Sequence, residues 1–325
     1  MARYLIAADP LSVILPVTDT TIMMAEELLL NGHSVDYLDL STMDWRQTAD
    51  RYLGSLKVAK VEEMNLKLIP PLRVGPARIA RVEEYDVILQ RKDPPVDDTF
   101  IGHCRIFMQA PKSILQINNP AETWRVSEHE LPLEFSEYTL PTLVAHSPDE
   151  FLSQMGSRHV ETVVKPHNTF SGWGIEFFSK HTDTATLTAY WKKWAVNTKK
   201  VVIQDYSREV ETIGDLRVLA FDGRVIGSVL RRPKVGSRLA NLHQGGSAHP
   251  WKLTRIQSRA TAEAGEKLAQ RGLHLVGFDF IGDRLSEINI TCPSALRQID
   301  SVSGIKGQQA MMAEIEKLRQ SGRRP

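Results

Sequence analysis

The stretch Val276 to Thr291, VGFDFIGDRLSEINIT, carries the densest chemistry in the chain. Glu287 and Asn289 stand two apart on a strand and therefore point to one sheet face. With Asp279 they set three oxygen donors among Val276, Phe278, Phe280, Ile281, Ile288 and Ile290. Such donors suit Mg²⁺, which takes one or two carboxylates together with water and substrate phosphates. Parity sets a condition. A strict two-residue turn at Gly282-Asp283 would pair Asp279 with Ser286, on the face opposite Glu287. All three converge only with an odd-length loop or a bulge. The competing reading is the wet face of an amphipathic strand, and spacing alone leaves the two level.

Lys165 closes the strand Glu161 to Val164 and precedes a loop holding Gly172 and Gly174. A lysine there can hold phosphate oxygens as a point charge, or simply sit in water. Gly227 to His249 gathers Arg231, Arg232, Lys234, Arg238, His243 and His249 with Gly236, Gly245 and Gly246. That make-up fits a mobile loop closing over an anion, or a disordered surface insertion. Neither Cys104 nor Cys292 has a base nearby in sequence, so both are expected to be buried rather than nucleophilic.

The elements that must position these groups read as α/β. Tyr4–Ala8 is an apolar strand, Thr20–Leu30 a helix with Asp19 as N-cap and Gly32 past its end, and Val35–Leu40 a second strand. Strand, helix, strand is a βαβ unit with a parallel pair. Strands at Asp86–Gln90 and Ile114–Ile117 follow, with a helix near Phe100–Gln109 between them. No dinucleotide glycine fingerprint follows the first strand. Next come a helix around Glu122–Leu131, a strand at Thr142–Ala145, a helix capped by Pro148-Asp149-Glu150, and a strand at Ile175–Ser179. A helix near Thr184–Trp194 and a strand at Val201–Asp205 complete this stretch. Asp222-Gly223 and Gly282-Asp283 signal two hairpins, and a long helix spans about Thr254–Arg271, closed by Gly272.

The whole chain sets the outer limits. At roughly 150 residues per domain, 325 residues make two or three domains. Forty Lys and Arg against 39 Asp and Glu give a formal charge of +1, without the global positive field of a nucleic-acid coat. An apolar share of 42% with 24% charged residues excludes wholesale disorder. No apolar run approaches the ~20 residues that cross a bilayer. The start reaches Asp9 before an h-region forms, so no signal peptide is expected. Two cysteines are too few for a disulfide framework or a Cys-based zinc site. The expectation is a cytoplasmic multidomain protein with neither nucleic-acid nor membrane partners.

In this order, the segments resemble the bacterial glutathione synthetases of the ATP-grasp superfamily. The matches are Asp9-Pro10, Gln90-Arg91-Lys92-Asp93-Pro94-Pro95, Lys165-Pro166, Gly214-Asp215-Leu216-Arg217-Val218-Leu219 and Arg231-x-Pro233. They continue with Asn241-Leu242-x-x-Gly245-Gly246, Val276-Gly277-x-Asp279-x-Ile281-Gly282-Asp283-Arg284-Leu285 and Glu287-Ile288-Asn289-x-Thr291-x-Pro293-Ser294. The resemblance covers nearly the whole chain. It implies an α/β ATP-grasp fold with a Rossmann-like preATP-grasp domain at 1–120, a lid at 121–200, a C-terminal subdomain with the metal site at 201–318, and a frayed tail at 319–325.

It also implies ATP and Mg²⁺, with Mn²⁺ as an alternative ion, and phosphorylation of a carboxylate followed by attack of an amine. By the resemblance, Asp279, Glu287 and Asn289 are the metal ligands, and Arg217 and Arg231 stand beside the reacting centre. Lys165, Gln204, Asp205, Tyr206, Asp215 and His129 border ATP; Asp19, Arg91, Asp93 and Asn241 border the substrate. The implied reaction joins γ-glutamylcysteine to glycine in a homo-oligomer. Alternatives are a related ligase of another carboxylate or amine (a dipeptide or amino acid), or a non-catalytic nucleotide-binding homologue. Three departures motivate them. The lid loop has Asn168, Thr169 and Ser171 where the family has Asp and glycines, with Phe170 and Trp173 adding bulk; His129 stands where a lysine is usual; and Ser247 replaces an arginine. An ordinary histidine is mostly neutral at pH 7, so a fixed counter-charge to phosphate is lost or made pH-dependent.

Overall fold

The computed structural model describes residues 1–15, 19–43, 53–65, 71–167, 169, 172–195, 199–234, 236–238, 240 and 245–322. Its strands, numbered in chain order, form three sheets. The first comprises β1 (Arg3–Ala8), β2 (Ser34–Asp39), β3 (Leu56–Met64), β4 (Leu72–Ala80), β5 (Val87–Arg91) and β6 (Leu115–Ile117), in the order β4-β3-β2-β1-β5-β6. β1 runs parallel to β2 and to β5, and β5 runs parallel to β6. β3 and β4 extend the edge in antiparallel fashion. Tyr4 to Ala8 is buried throughout, as a strand covered on both faces demands. Asp19 caps the helix Thr20–Leu30 by accepting from the Thr21 backbone N–H at 2.5 Å.

β1 lies between β2 and β5, so a crevice opens at the carboxyl ends of adjacent strands. Asp9 follows β1 there, and Lys92 and Asp93 follow β5. Lys92 Nζ donates to Asp9 Oδ1 at 2.7 Å, and the Asp93 backbone N–H donates to Asp9 Oδ2 at 2.8 Å.

The second sheet is antiparallel: β7 (Thr142–Ala145), β8 (Thr162–Pro166), β9 (Glu176–Phe178) and β10 (Val201–Asp205), in the order β7-β10-β8-β9. Helices Pro148–Gly156 and Thr184–Trp194 cover one face through Phe151, Met155, Leu187 and Trp191. The third holds β11 (Asp215–Phe221), β12 (Arg224–Arg232), β13 (Ser247–His249), β14 (Leu275–Ile281) and β15 (Arg284–Asn289), all antiparallel, in the order β13-β12-β11-β14-β15. The helix Arg255–Ala269 lays Ala260, Ala264 and Leu268 on Val218, Phe278, Phe280 and Ile288. Small side chains at the contact let helix and sheet approach closely. Period-two alternation then sends the intervening residues to the opposite face. The β11–β12 turn forms at Asp222 and Gly223, both with positive φ (49° and 77°), as its Asp-Gly pair predicts.

Two expectations are corrected. The stretch 122–131 is not one helix: a short helix at Pro120–Thr123 gives way to irregular backbone and a 3₁₀ turn at Leu131–Phe135. That backbone makes its hydrogen bonds along the edge of β15 instead. Ile288 N donates to Glu128 O at 3.1 Å, Leu285 N to Tyr138 O at 2.8 Å, and Leu140 N to Leu285 O at 3.1 Å. Pro132, in the first turn of that 3₁₀ segment, has no N–H with which an α-helix could run on from Glu128. The chain is also not frayed from residue 319. Helix Gly307–Ser321 continues past it, with Arg319 paired to Glu316 at 2.8 Å, and residues 323–325 lie outside the described residues.

Candidate active site

The open face of the third sheet is built by register. Arg231 lies opposite Asp215, Arg217 opposite Asp279, Asp279 opposite Glu287, and Gly277 opposite Asn289. The parity condition is met by a bulge. Ile281–Arg284 and Phe280–Leu285 pair as a two-residue turn dictates, and then the register shifts so that Asp279 meets Glu287. Ser286 is the extra residue. Its carbonyl accepts from Lys165 Nζ at 3.1 Å and from Gln204 Nε2 at 3.4 Å. One inserted residue thus brings the three oxygen donors to one face and ties that sheet to the second. Gly277 leaves room beneath Arg217: a Cβ there would touch Arg217 Cδ at 3.4 Å and press slightly on Pro293 Cβ at 3.3 Å.

Charge on this face is closely paired. Arg217 grips Asp279 through Nε at 2.5 Å and a terminal nitrogen at 2.8 Å, and it donates to the Ser294 carbonyl at 3.0 Å. Arg231 bridges Asp215 at 2.5 Å and Asp279 at 3.0 Å, and Asn289 Nδ2 donates to Asp279 at 3.2 Å. Burial opposes ionisation of Asp279, but Arg217 and Arg231 outweigh it and hold the carboxyl below the usual range. Asp215 is raised by burial and by the charge of Asp279, with Arg231 opposing. Burial lowers the buried Lys165, against the pull of Glu287, Asp215 and Asp279. Glu287 is raised by burial and by Asp279. Among the described residues, none donates a hydrogen bond to the Glu287 carboxylate.

Glu128 and His129 meet Glu287 from the irregular segment on the β15 edge. Glu128 Oε1 accepts from the backbone N–H groups of Ile290 (2.6 Å) and Thr291 (2.8 Å) and from the Thr291 hydroxyl (2.9 Å). Burial, then the charge of Glu287, push its carboxyl up to about 7. Sequence reasoning missed Glu128, because a single acid between a short helix and a 3₁₀ turn has no periodicity to mark it. His129 Nδ1 donates to the Pro166 carbonyl at 2.9 Å, and its Nε2 stands 3.6 Å from Glu287 Oε2. Burial and the neighbouring Lys165 push the imidazole down to about 3, so it stays neutral across the physiological range instead of titrating there.

These groups converge on a cavity of about 610 Å³, which Asp19, Asp93, Lys165, Gln204, Asp205, Tyr206, Asp215, Arg217, Arg231, Asp279, Glu287, Asn289 and His129 all line. Asp205 is ion-paired to Arg158. The Tyr206 ring meets Phe177 edge-on, and Arg238 lies 5.1 Å over it. Arg91 stands behind the wall. Its guanidinium donates to Thr21 Oγ1, the Pro293 carbonyl and Ser294 Oγ at 3.1–3.4 Å. Cys104 is buried, but Cys292 is only half-buried; it lines the cavity and donates to the Arg91 carbonyl at 3.4 Å, because the loop after β15 turns its side chain into the cleft. Asn241, Leu242 and His243, and Asn168, Phe170 and Ser171 of the lid loop, lie outside the described residues. Trp173 is 67% exposed.

Among the described residues, no three His, Cys, Asp or Glu side chains form a cage for an ion by themselves. A Mg²⁺-type ion would therefore take the rest of its ligands from water and substrate phosphates. The unbonded Glu287 carboxylate beside Asn289 and Asp279 fits such an ion. No helix among the described residues is long and apolar enough to cross a membrane.

The profile described as prokaryotic glutathione synthetase, ATP-grasp domain, matches residues 128–304, and that of the N-terminal domain matches residues 2–123. The chain is 29% identical to a glutathione synthetase of Rhodopseudomonas palustris over 93% of this chain and 94% of the relative. It is 30% identical to one of Pseudomonas putida over 92% of each. Among solved structures, the D-cycloserine synthetase DcsG superposes with a TM-score of 0.66 at 13% identity, covering 96% of this chain and 99% of that one. A D-alanine–D-alanine ligase of Bacillus anthracis, complexed with ATP, gives 0.58 at 14% identity over 99% of each. At such identities the two structures speak for the fold.

Proposed function

The chain belongs to the prokaryotic glutathione synthetase family, and from that membership we propose that it joins γ-glutamylcysteine to glycine at the expense of ATP. It is an ATP-dependent carboxylate–amine ligase of the ATP-grasp type, working on small molecules with a divalent ion. A carboxylate oxygen of the dipeptide attacks the γ-phosphorus of ATP and releases ADP. The glycine amine then adds to the acyl phosphate carbonyl, phosphate leaves, and the amine proton passes to solvent. One observation carries this reading: Lys165 and Gln204 of the second sheet face Arg217, Arg231, Asp279, Glu287 and Asn289 of the third across one cavity.

In this reading Lys165, buried and poorly solvated, meets phosphate oxygens; Gln204, Asp205, Tyr206, Asp215 and His129 border the nucleotide. Arg217 and Arg231 neutralise the acyl phosphate and the oxyanion that follows, from positions fixed beforehand by Asp279 and Asp215. Glu287, Asn289 and Asp279 would hold Mg²⁺, whose charge would offset that of the phosphates. Asp19 and Asp93 offer carboxylates to a substrate ammonium, and Arg91 positions the wall behind them. Residues 1–120, 121–200 and 201 to the end of helix Gly307–Ser321 are taken as the three units that close on the nucleotide in a cytoplasmic homo-oligomer. The test is ADP release with γ-glutamylcysteine and glycine varied separately. Release that needs both and fails in Glu287→Gln supports the reading; release indifferent to the dipeptide rejects it.

A further inference from the structure

Resting on the ligase reading, we infer that His129 gives its Nε2 lone pair to the divalent ion anchored by Glu287, so that the site favours a first-row transition ion such as Mn²⁺ over Mg²⁺. The Pro166 carbonyl can only accept, so the 2.9 Å contact places the imidazole proton on Nδ1. Nε2 is left with a bare lone pair. It faces Glu287 Oε2 at 3.6 Å, too far for a hydrogen bond, and that carboxylate oxygen also presents lone pairs.

The neighbouring cation, Lys165, is held by the Ser286 carbonyl at 3.1 Å, so two acceptors 3.6 Å apart in this wall still call for something electropositive between them. A phosphate oxygen cannot serve, because it would be a third acceptor. An ion can, since two donors each ~2.1 Å from one centre stand about 3–4 Å apart. The Pro166 contact is also the support a metal-bound histidine receives, its other ring N–H held by a backbone carbonyl. A nitrogen donor shifts preference away from Mg²⁺, which favours oxygen, towards transition ions.

The test is pulsed EPR on the full chain with Mn²⁺ and unlabelled ADP, the protein carrying ¹⁵N only in histidine. A ¹⁵N coupling on bound Mn²⁺ that vanishes in His129→Gln is expected. The preference for Mn²⁺ over Mg²⁺ in competition should also fall about tenfold in that variant. Mn²⁺ bound with ADP but without ¹⁵N coupling, or coupling that persists in His129→Gln, overturns the inference and leaves the ligase reading standing. Failure of both Mn²⁺ and ADP to bind overturns both. The decisive spectrum is that of the unaltered protein, so it does not depend on the variant folding.

Discussion

Replacing Arg217 by methionine keeps much of the side-chain volume and removes two of the hydrogen bonds that hold the buried Asp279, at 2.5 and 2.8 Å. Breaking a buried pair by removing one partner costs about 3–5 kcal/mol, because the other charge is left uncompensated. Arg231 still reaches Asp279 at 3.0 Å, which points to the lower end, about 3 kcal/mol. With ~2.1 cal/mol/K per residue, the 325-residue chain has an unfolding entropy of about 0.7 kcal/mol/K, so Tm should fall by about 4 °C. The pH dependence has a definite sign. The folded pKa of Asp279 is depressed, so its contribution is present above the unfolded value of about 3.9 and lost as pH falls through the folded one. Arg217→Met raises the folded pKa, so the gap to the parent is full at pH 7 and narrows towards pH ~4. Adding Asp279→Asn removes the stranded charge and should restore most of the loss. Scanning calorimetry of the parent, both single variants and the double variant measures all of this. A Tm change below about 1 °C in Arg217→Met, or losses that simply add in the double variant, would refute the paired-charge argument.

Three further outcomes follow from the same geometry. Deleting Ser286 leaves Glu287 opposite Asp279 but removes the carbonyl that holds Lys165 and Gln204; titration should show ATP binding weakened about tenfold, ~1.4 kcal/mol, with metal binding retained. Glu128 has a folded pKa raised to about 7, so its stability contribution is full below the unfolded value of about 4.3 and is lost as pH rises through 7. Glu128→Gln should flatten that decline in denaturant unfolding measured from pH 5 to 8. Gly214 has φ +126° and would carry a Cβ 2.5 Å from the Arg231 carbonyl oxygen, so Gly214→Ala should cost about 1–3 kcal/mol and weaken the Arg231–Asp215 contact, read from Tm and from ADP release.

The chain disclosed its local devices more readily than its long-range pairings. Asp19 before a run of helix formers, Asp222-Gly223 between apolar strands, and Glu287-x-Asn289 each carry their conformation within a few residues, and each forms as read. The bulge at Ser286 was legible only as a requirement, since nothing in RLSE says which residue yields its place in the ladder. The grip of Arg217 on Asp279 spans 62 positions and arises from strand register alone. β3 and β4 went unread although Leu56, Val58 and Leu72 alternate with polar neighbours, because register shifts near Val61 break the period. The segment 124–140 has no period at all. Its conformation is set by the edge of β15, a partner some 150 residues away that the local sequence does not encode.

The central claim is that this cleft activates a carboxylate by phosphorylation and then couples it to an amine. The most direct test uses γ-glutamylcysteine with ¹⁸O in its cysteinyl carboxylate, incubated with ATP, Mg²⁺, glycine and the protein. The account predicts one ¹⁸O in the phosphate released for each tripeptide formed, because the carboxylate oxygen that attacks phosphorus leaves with it. Tripeptide formed with unlabelled phosphate would contradict it.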